Sequence, residues 1–231
     1  MAFNRKNLII SADDFGISQL ANDNILLLAE AGKLDRVAIM TNGIFSPEEI
    51  IRLKKSGVKL DIHLDLDHAI SPKRKLKDGV LLRAIIFFSK YLKDYINADS
   101  KKILWQEQLK KFHSIFGKYP DGINSHQHVH FFPGYFKIII RLSQKNNIPF
   151  VRFGKKWLIQ SNSKVYRILN WLHKMDLKFF LASALGSSDF MLSLDWSRDI
   201  HKTLKQLPDG ITEVVCHPER PEEFEFIKKH F

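Results

Sequence analysis

A chain of 231 residues is long enough for one large α/β domain with a substantial core, and nowhere does it contain the roughly 18 consecutive apolar residues that a membrane span needs. Cys216 is the only cysteine, which excludes an internal disulfide. The formal net charge is +11, but the basic residues are spread over many segments without an Arg-rich tract, so we expect no nucleic-acid partner. The apolar run before Asp13 is too short for a secretory signal, and we expect a cytoplasmic protein.

Strand and helix signals alternate in the first part of the chain. Gly32 and Gly57 are typical of helix ends, and Ser46 followed by Pro47 is typical of a helix start. These signals predict a buried strand at residues 7–12, a helix at 20–31, a strand at 36–40, a helix at 48–55 and a strand of alternating polarity at 58–66. The polar, basic segment 67–79 is predicted to be an exposed loop.

The alternation continues to the C-terminus. The pattern predicts helices at 80–95 and 100–116, an extended segment at 123–130, a helix from Pro133 to residue 146, a strand at 150–153, helices at 163–184 and 197–207, and a last strand at 211–216. No internal repeat, low-complexity tract or linker interrupts it. Strands that alternate with helices indicate an α/β protein with a mostly parallel sheet or barrel, and we expect a single domain over residues 1–231.

Side chains that can bind a metal fall near the predicted strand ends. Asp14 follows the first strand, His63 lies in the third, and His126 begins a run that contains three histidines. The C-terminal ends of parallel strands meet on one face of a barrel, so these residues could share a site. Two imidazoles and a carboxylate are typical of a divalent-metal site that keeps positions open for water and substrate. We therefore predict one divalent ion, which can polarise a carbonyl oxygen and lower the pKa of a water molecule.

Two further residues are candidates for proton transfer. Asp13 could act as the general base, and His217, at the end of the last strand, could donate a proton to a leaving amine. Each candidate also has a structural interpretation, because an Asp-Asp pair after a strand is often a helix N-cap and a histidine within a strand often only makes a hydrogen bond. The combination of these positions favours hydrolysis of an amide or ester.

The segment Ser125-His126-Gln127-His128-Val129-His130 would place its three histidines on one side of an extended strand, with a turn of the chain before His130 as the alternative. We do not expect all three to bind metal. His128 and His130 could contact substrate or support the metal ligands, and a structural role is an equal alternative.

Four stretches of the chain resemble the YdjC-like family of carbohydrate deacetylases, which includes chitooligosaccharide deacetylases and relatives of the hopanoid-associated deacetylase. They are SADDFGIS at residues 11–18, IHL at 62–64, NSHQHVHFFP at 124–133 and CHP at 216–218. The stretches follow the family's order over nearly the whole chain, and the first and third are long enough to be specific.

The resemblance implies a deformed TIM-like (β/α) barrel that hydrolyses an N-acetyl group on a sugar with a bound divalent metal, magnesium or zinc. It assigns the metal ligands to Asp14, His63 and His126. It also implies that Asp13 is the catalytic base and that His217 lies at the site.

The chain departs from the family pattern near the site. Asp61 and the segment 65–67 replace the residues that usually flank the metal-binding histidine, and Glu219 replaces a glycine. The substrate of a chitobiose deacetylase is therefore not carried over. Arg152 stands where the family commonly has a basic residue, so it could orient Asp13 or bind substrate, with a surface ion pair as the alternative.

Together these features predict an enzyme that removes acetyl from an N-acetylated sugar, whether an oligosaccharide, a polysaccharide precursor or a glycolipid head group. The alternatives are another metal-dependent hydrolase, such as a phosphoesterase, and a non-catalytic sugar-binding barrel. Basic segments that contain aromatic residues, at 101–116 and 155–180, raise the alternatives of a peripheral contact with the inner membrane face and of ordinary amphipathic helices. A homodimer is a further open alternative.

Overall fold

The computed structural model describes residues 3, 5–66, 98–159, 161, 163–197 and 199–231. The loop predicted at 67–79 and the helix predicted at 80–95 lie outside these residues. None of the described helices combines the length and the apolar character that crossing a membrane requires.

Eight strands form one sheet in the order β5-β4-β3-β2-β1-β8-β7-β6, and every pairing between neighbours is parallel. The sheet curls into a half-barrel that is open between β5 and β6, where Phe150 forms an isolated parallel bridge to Gly186. This architecture confirms the predicted α/β barrel-like fold. The strands are β1 Leu8–Phe15, β2 Arg36–Ile39, β3 Lys59–Leu64, β4 Gly122–Ser125, β5 Phe150–Val151, β6 Trp157–Leu158, β7 Phe190–Ser193 and β8 Thr212–Cys216.

Helices pack around this sheet and cover apolar strand residues that are buried on both sides, as expected for parallel strands. The described α-helices are α1 Gln19–Glu30, α2 Pro47–Lys55, α3 Ala98–Phe116, α4 Pro133–Lys145, α5 Lys164–Ala182, α6 Ile200–Lys205 and α7 Pro221–His230. Two short 3₁₀ helices, His126–Phe131 and Leu194–Trp196, follow β4 and β7.

Local chemistry fixes the turn that follows β1. Gly16 has a φ of +102°, a conformation that glycine adopts without strain. Gly43 packs against it so closely that a Cβ atom there would lie 2.4 Å from the Gly16 carbonyl oxygen. Asn22 of α1 accepts a hydrogen bond from the Gly16 backbone N–H at 2.7 Å. These contacts hold the end of β1 rigidly, just after the two aspartates.

Three parts of the fold differ from the sequence prediction. β1 continues through Asp13 and Asp14 to Phe15, so the two aspartates end the strand instead of following it. The extended segment predicted at 123–130 is wrong beyond Ser125, because the chain turns into a 3₁₀ helix in which Gln127 and His128 have φ values of 54° and 55°. Strands β6 and β7 and helix α7 were not predicted.

Candidate metal centre

The three predicted metal ligands come together at the C-terminal ends of the strands. Asp14, His63 and His126 each offer one ligand atom, and these atoms all lie within 4.8 Å of one another. His63 Nε2 is 3.1 Å from Asp14 Oδ1, and His126 Nδ1 is 2.9 Å from the same oxygen. The predicted convergence of strand ends thus accounts for the cluster.

A backbone irregularity allows both aspartates of β1 to face this cluster. The β1–β2 register shifts between Ala12 and Phe15, and Asp14 has a φ of 71°. In a regular strand, consecutive side chains point to opposite faces, but the bulge places Asp13 Oδ2 3.9 Å and Asp14 Oδ1 3.1 Å from the same atom, His63 Nε2. One strand end therefore supplies two carboxylates to the site.

The donor set fits a divalent metal ion. His63 and His126 offer two imidazole nitrogens and Asp14 offers a carboxylate oxygen, a combination that suits zinc and related ions with positions left open. Burial would raise the pKa of Asp14, but hydrogen bonds from His126 and His63 lower it well below its usual value. Asp14 is thus ionised and able to act as a ligand.

Asn124 controls the orientation of His63. The two residues are paired in register between β3 and β4, and Asn124 Oδ1 makes a short hydrogen bond with His63 Nδ1. An amide oxygen can only accept, so His63 donates its Nδ1 proton to Asn124, and Nε2 is the ring nitrogen that faces Asp14 and could bind a metal ion. This role of Asn124 was not predicted from the sequence.

Arg152 lies inside the barrel and is fully buried. Its Nη1 donates a hydrogen bond to Asp13 Oδ2 at 2.6 Å, and its Nε donates one to Glu213 Oε1 at 2.8 Å. Burial alone would raise the pKa of Asp13, but the Arg152 charge, with help from His63, lowers it to about 2. These contacts support orientation of Asp13. They do not support the predicted substrate contact, and the fully buried position excludes a surface ion pair.

Only one oxygen of Asp13 is occupied by this arginine. Asp13 Oδ1 is buried and has no hydrogen-bond partner among the described residues. A buried carboxylate oxygen without a partner costs free energy, so it is typically kept for a ligand, a water molecule or a reaction step. Oδ1 is thus the oxygen of Asp13 that no described residue occupies.

His217 follows β8 and is held by Glu223 of α7. Glu223 Oε2 accepts a hydrogen bond from the His217 backbone N–H at 2.7 Å and lies 3.5 Å from the ring Nδ1. Burial would lower the pKa of His217, but Glu223, together with Asp13 and Asp14, raises it to about 9. His217 therefore carries a proton at neutral pH.

The remaining two histidines of the predicted strand have different surroundings. His130 is fully buried, and its ring contacts Ser125 Oγ at 2.8 Å and the Arg152 carbonyl oxygen at 2.9 Å. Both ring nitrogens are occupied, so the predicted substrate contact of His130 is not supported, and the residue instead braces the backbone of Arg152. His128 packs its ring 5.5 Å from that of Trp196 and keeps a buried Nδ1 without a described partner, and its substrate contact stays a prediction.

The residues that support the site from neighbouring strands and helices were not predicted from the sequence. Asn124 orients His63, Glu213 binds Arg152 and also accepts a hydrogen bond from Ser11 at 2.8 Å, and Glu223 holds His217. The alignment of Asn124 with His63 in adjacent predicted strands was a usable signal. Glu213 carried a weaker signal, as a charged residue within a predicted buried strand.

The fold and the cluster define an α/β barrel-like protein with a candidate metal site at its strand ends. The sequence model of the YdjC-like protein family matches residues 7–230. The chain belongs to the YdjC-like family, as the sequence motifs predicted.

The chain is similar to proteins named as deacetylases and to one solved structure. A chitooligosaccharide deacetylase of Proteus mirabilis is 30% identical over 215 residues, which cover 91% of this chain and 80% of the relative. A carbohydrate deacetylase of Mus musculus is 24% identical over 160 residues, 66% of this chain and 52% of the relative, so the matched region spans about half of the mouse protein. A protein of Enterococcus faecalis V583, with a proposed role in cellobiose-phosphate cleavage, has a crystal structure with a TM-score of 0.58 and 18% identity, covering 91% of this chain and 80% of that one. This structural likeness supports the fold alone.

Proposed function

We propose that this protein is a metal-dependent carbohydrate deacetylase that releases acetate from an N-acetylated sugar. The observation that carries the proposal is the Asp13 carboxylate beside the cluster of Asp14, His63 and His126: Arg152 holds its Oδ2, and no described residue bonds its Oδ1. The relatives named carbohydrate deacetylase and chitooligosaccharide deacetylase support the substrate class.

The metal would be held by Asp14, His63 and His126. Bound there, a divalent ion such as magnesium or zinc would polarise the acetyl carbonyl and lower the pKa of a water molecule. Asn124 keeps the His63 lone pair directed at the cluster, and the ionised Asp14 supplies a negative charge.

Asp13 and His217 divide the proton transfers between them. Asp13 is ionised at neutral pH, and its Oδ1 takes a proton from water as the water oxygen bonds to the acetyl carbon. His217 is protonated at neutral pH and gives its proton to the sugar nitrogen as the carbon–nitrogen bond breaks. The immediate products are acetic acid and a free amino sugar. Acetic acid then loses its proton to solvent as acetate, and exchange with solvent returns Asp13 to its ionised form and His217 to its protonated form.

The test is acetate release from N-acetylated sugars, free and lipid-linked, after metal removal and after addition of magnesium or zinc. We expect release only with metal, and we expect Asp13→Asn to lower kcat by about 10²- to 10⁴-fold, the usual contribution of a general base. Asp23→Asn makes the same chemical change at an exposed position on α1 and should retain activity. Release that needs no metal, or equal rates in Asp13→Asn and the unmodified protein, would contradict the proposal.

A further inference from the structure

Helix α5 presents an unusual surface to solvent. Ile168, Trp171 and Met175 follow one another at spacings of three and four residues, which places them on one face of the helix. All three are exposed, with Trp171 at 57%. The described part of the chain leaves this apolar stripe uncovered, although stripes of this kind normally face a core.

Basic side chains flank the stripe. Lys164, Arg167, Lys174 and Lys178 are exposed on the same helix, whereas its only carboxylate, Asp176, is buried. The outer face of α5 thus combines apolar residues with positive charge and carries no exposed negative charge. This combination is typical of helices that lie in the plane of an anionic membrane surface.

The first turns of α5 are linked through Trp196 to the histidine turn that follows β4. The Tyr166 ring is 6.4 Å from that of Trp196, which is in turn 5.5 Å from the ring of His128. A surface groove runs between α5 and the segment after the histidine turn, and it is lined by Phe132, Arg167, Ile168, Trp171 and Leu172. A surface that docks on α5 would therefore lie next to the segment that follows the histidine turn.

We propose that the outer face of α5 docks this protein on an anionic phospholipid membrane. Trp171 and its apolar neighbours enter the boundary between head groups and acyl chains, and the four cations contact the anionic head groups. A second copy of the chain fits this face less well, because a symmetric contact would bring the two basic faces together. The docking does not depend on which reaction the site performs.

Co-sedimentation with vesicles tests the contribution of the basic side chains to membrane docking. We expect the protein to sediment with phosphatidylglycerol-containing vesicles at low salt, and to remain in solution with pure phosphatidylcholine vesicles or at high salt. Lys174→Gln combined with Lys178→Gln should lower the partition coefficient roughly 25-fold, since each cation near the surface contributes about fivefold. Lys102→Gln combined with Lys110→Gln removes the same charge from exposed positions on α3, and this variant should have nearly the partition coefficient of the unmodified protein.

A matched pair of exposed tryptophans tests the apolar part. Trp171 and Trp157 are 57% and 50% exposed, but only Trp171 lies on the outer face of α5. Brominated lipids should quench the fluorescence of the Trp157→Phe variant on binding and should not quench that of Trp171→Phe. Circular dichroism on every variant separates loss of binding from loss of folding.

Three outcomes would overturn the proposal. They are absence of sedimentation with anionic vesicles at low salt, equal binding by the α5 and α3 double variants, and bromolipid quenching that survives Trp171→Phe. Self-association that requires Trp171, without vesicle binding, would assign the face to a second copy instead. None of these measurements uses acetate release, so their failure is distinct from failure of the proposed deacetylase activity.

Discussion

Asn124 determines how one of the proposed metal ligands is presented. Its amide oxygen accepts the Nδ1 proton of His63, so the ring is held by β4 while Nε2 faces Asp14. An imidazole without such a partner could rotate or take the other tautomer, in which Nε2 carries the proton and cannot bind a metal.

We expect Asn124→Ala to weaken binding of zinc roughly 10- to 100-fold, the usual effect of removing a hydrogen-bond partner of a metal-bound histidine. Isothermal titration of the metal-free protein measures this affinity directly, without reference to activity. Asn146→Ala, at the end of α4 and away from the cluster, is the matched control. Equal zinc affinities in the two variants would show that Asn124 does not orient His63.

The turn after β4 shows why a histidine pattern alone is ambiguous. His126, His128 and His130 alternate as in a strand, yet Gln127 and His128 adopt positive φ values and the chain enters a 3₁₀ helix. His126 consequently reaches Asp14, while His130 turns inward to Ser125 and the backbone of Arg152. The contacts of His126 and His130 cannot be predicted from their alternating spacing, because the turn between them depends on contacts made by distant parts of the chain.

Helix α5 also contains a buried carboxyl group on its inner side. Asp176 is 4% exposed, and its Oδ2 has no hydrogen-bond partner among the described residues. Burial raises the pKa of this group to about 7, and the charge of Lys137 on α4 offsets only part of the rise. Asp176 is thus an unfavourable element of the packing between α4 and α5 whenever it is ionised.

The pH dependence of stability follows from the sign of this shift. The pKa of Asp176 is about 7 in the folded protein and near 3.8 in the unfolded chain, so the folded state binds its proton more tightly. This group therefore lowers the free energy of unfolding as pH rises from about 4 to 7, and the loss persists above pH 7.

We expect Asp176→Asn to raise the free energy of unfolding at pH 8 by about 1–2 kcal/mol, because the variant buries no charge. At pH 4 the free energies of unfolding of the variant and the unmodified protein should differ little. Urea denaturation at the two pH values measures both quantities, and Asp209→Asn, at an exposed position, should show neither effect. A gain of equal size at pH 4 would mean that the ionisation of Asp176 is not the cause.

At the scale of the whole molecule, the regular alternation of strand and helix signals predicted a mostly parallel sheet or barrel with the candidate site at its strand ends, and the resemblance to the YdjC-like family implied the barrel. The two-residue strand β6 was missed, since so short a segment shows no periodicity, whereas the equally short β5 lies within the strand predicted at 150–153. The interior contacts could not be predicted. Arg36 pairs with Asp61 through two hydrogen bonds of 2.7 and 2.6 Å, and Arg152 reaches Glu213, but only the folded barrel brings these residues together.

Arg152 connects distant parts of the half-barrel. It follows β5, at one edge of the sheet, and bonds to Asp13 of β1 and Glu213 of β8 in the middle of the strand order. Because the sheet is open between β5 and β6, this buried ion triad joins the edge to the centre through the interior. Removal of the arginine would leave two carboxylates buried without a counter-charge, a strongly destabilising change.

We expect Arg152→Met to lower the free energy of unfolding by about 3–5 kcal/mol, as for other broken buried ion pairs. Arg52→Met removes an arginine that also bonds a carboxylate twice, but this pair with Glu30 is exposed and should contribute less than about 1 kcal/mol. In a Glu213→Gln background, Arg152→Met leaves one fewer buried carboxylate unpaired, so it should lower the free energy of unfolding by less than it does in the unmodified protein. The two losses should differ by more than about 0.5 kcal/mol, the deviation from additivity that independent sites show. Urea denaturation of the unmodified protein, the three single variants and the Glu213→Gln/Arg152→Met double variant measures these free energies of unfolding. Equal losses for Arg152→Met and Arg52→Met, or strict additivity with Glu213→Gln, would show that the interior triad does not hold the half-barrel together.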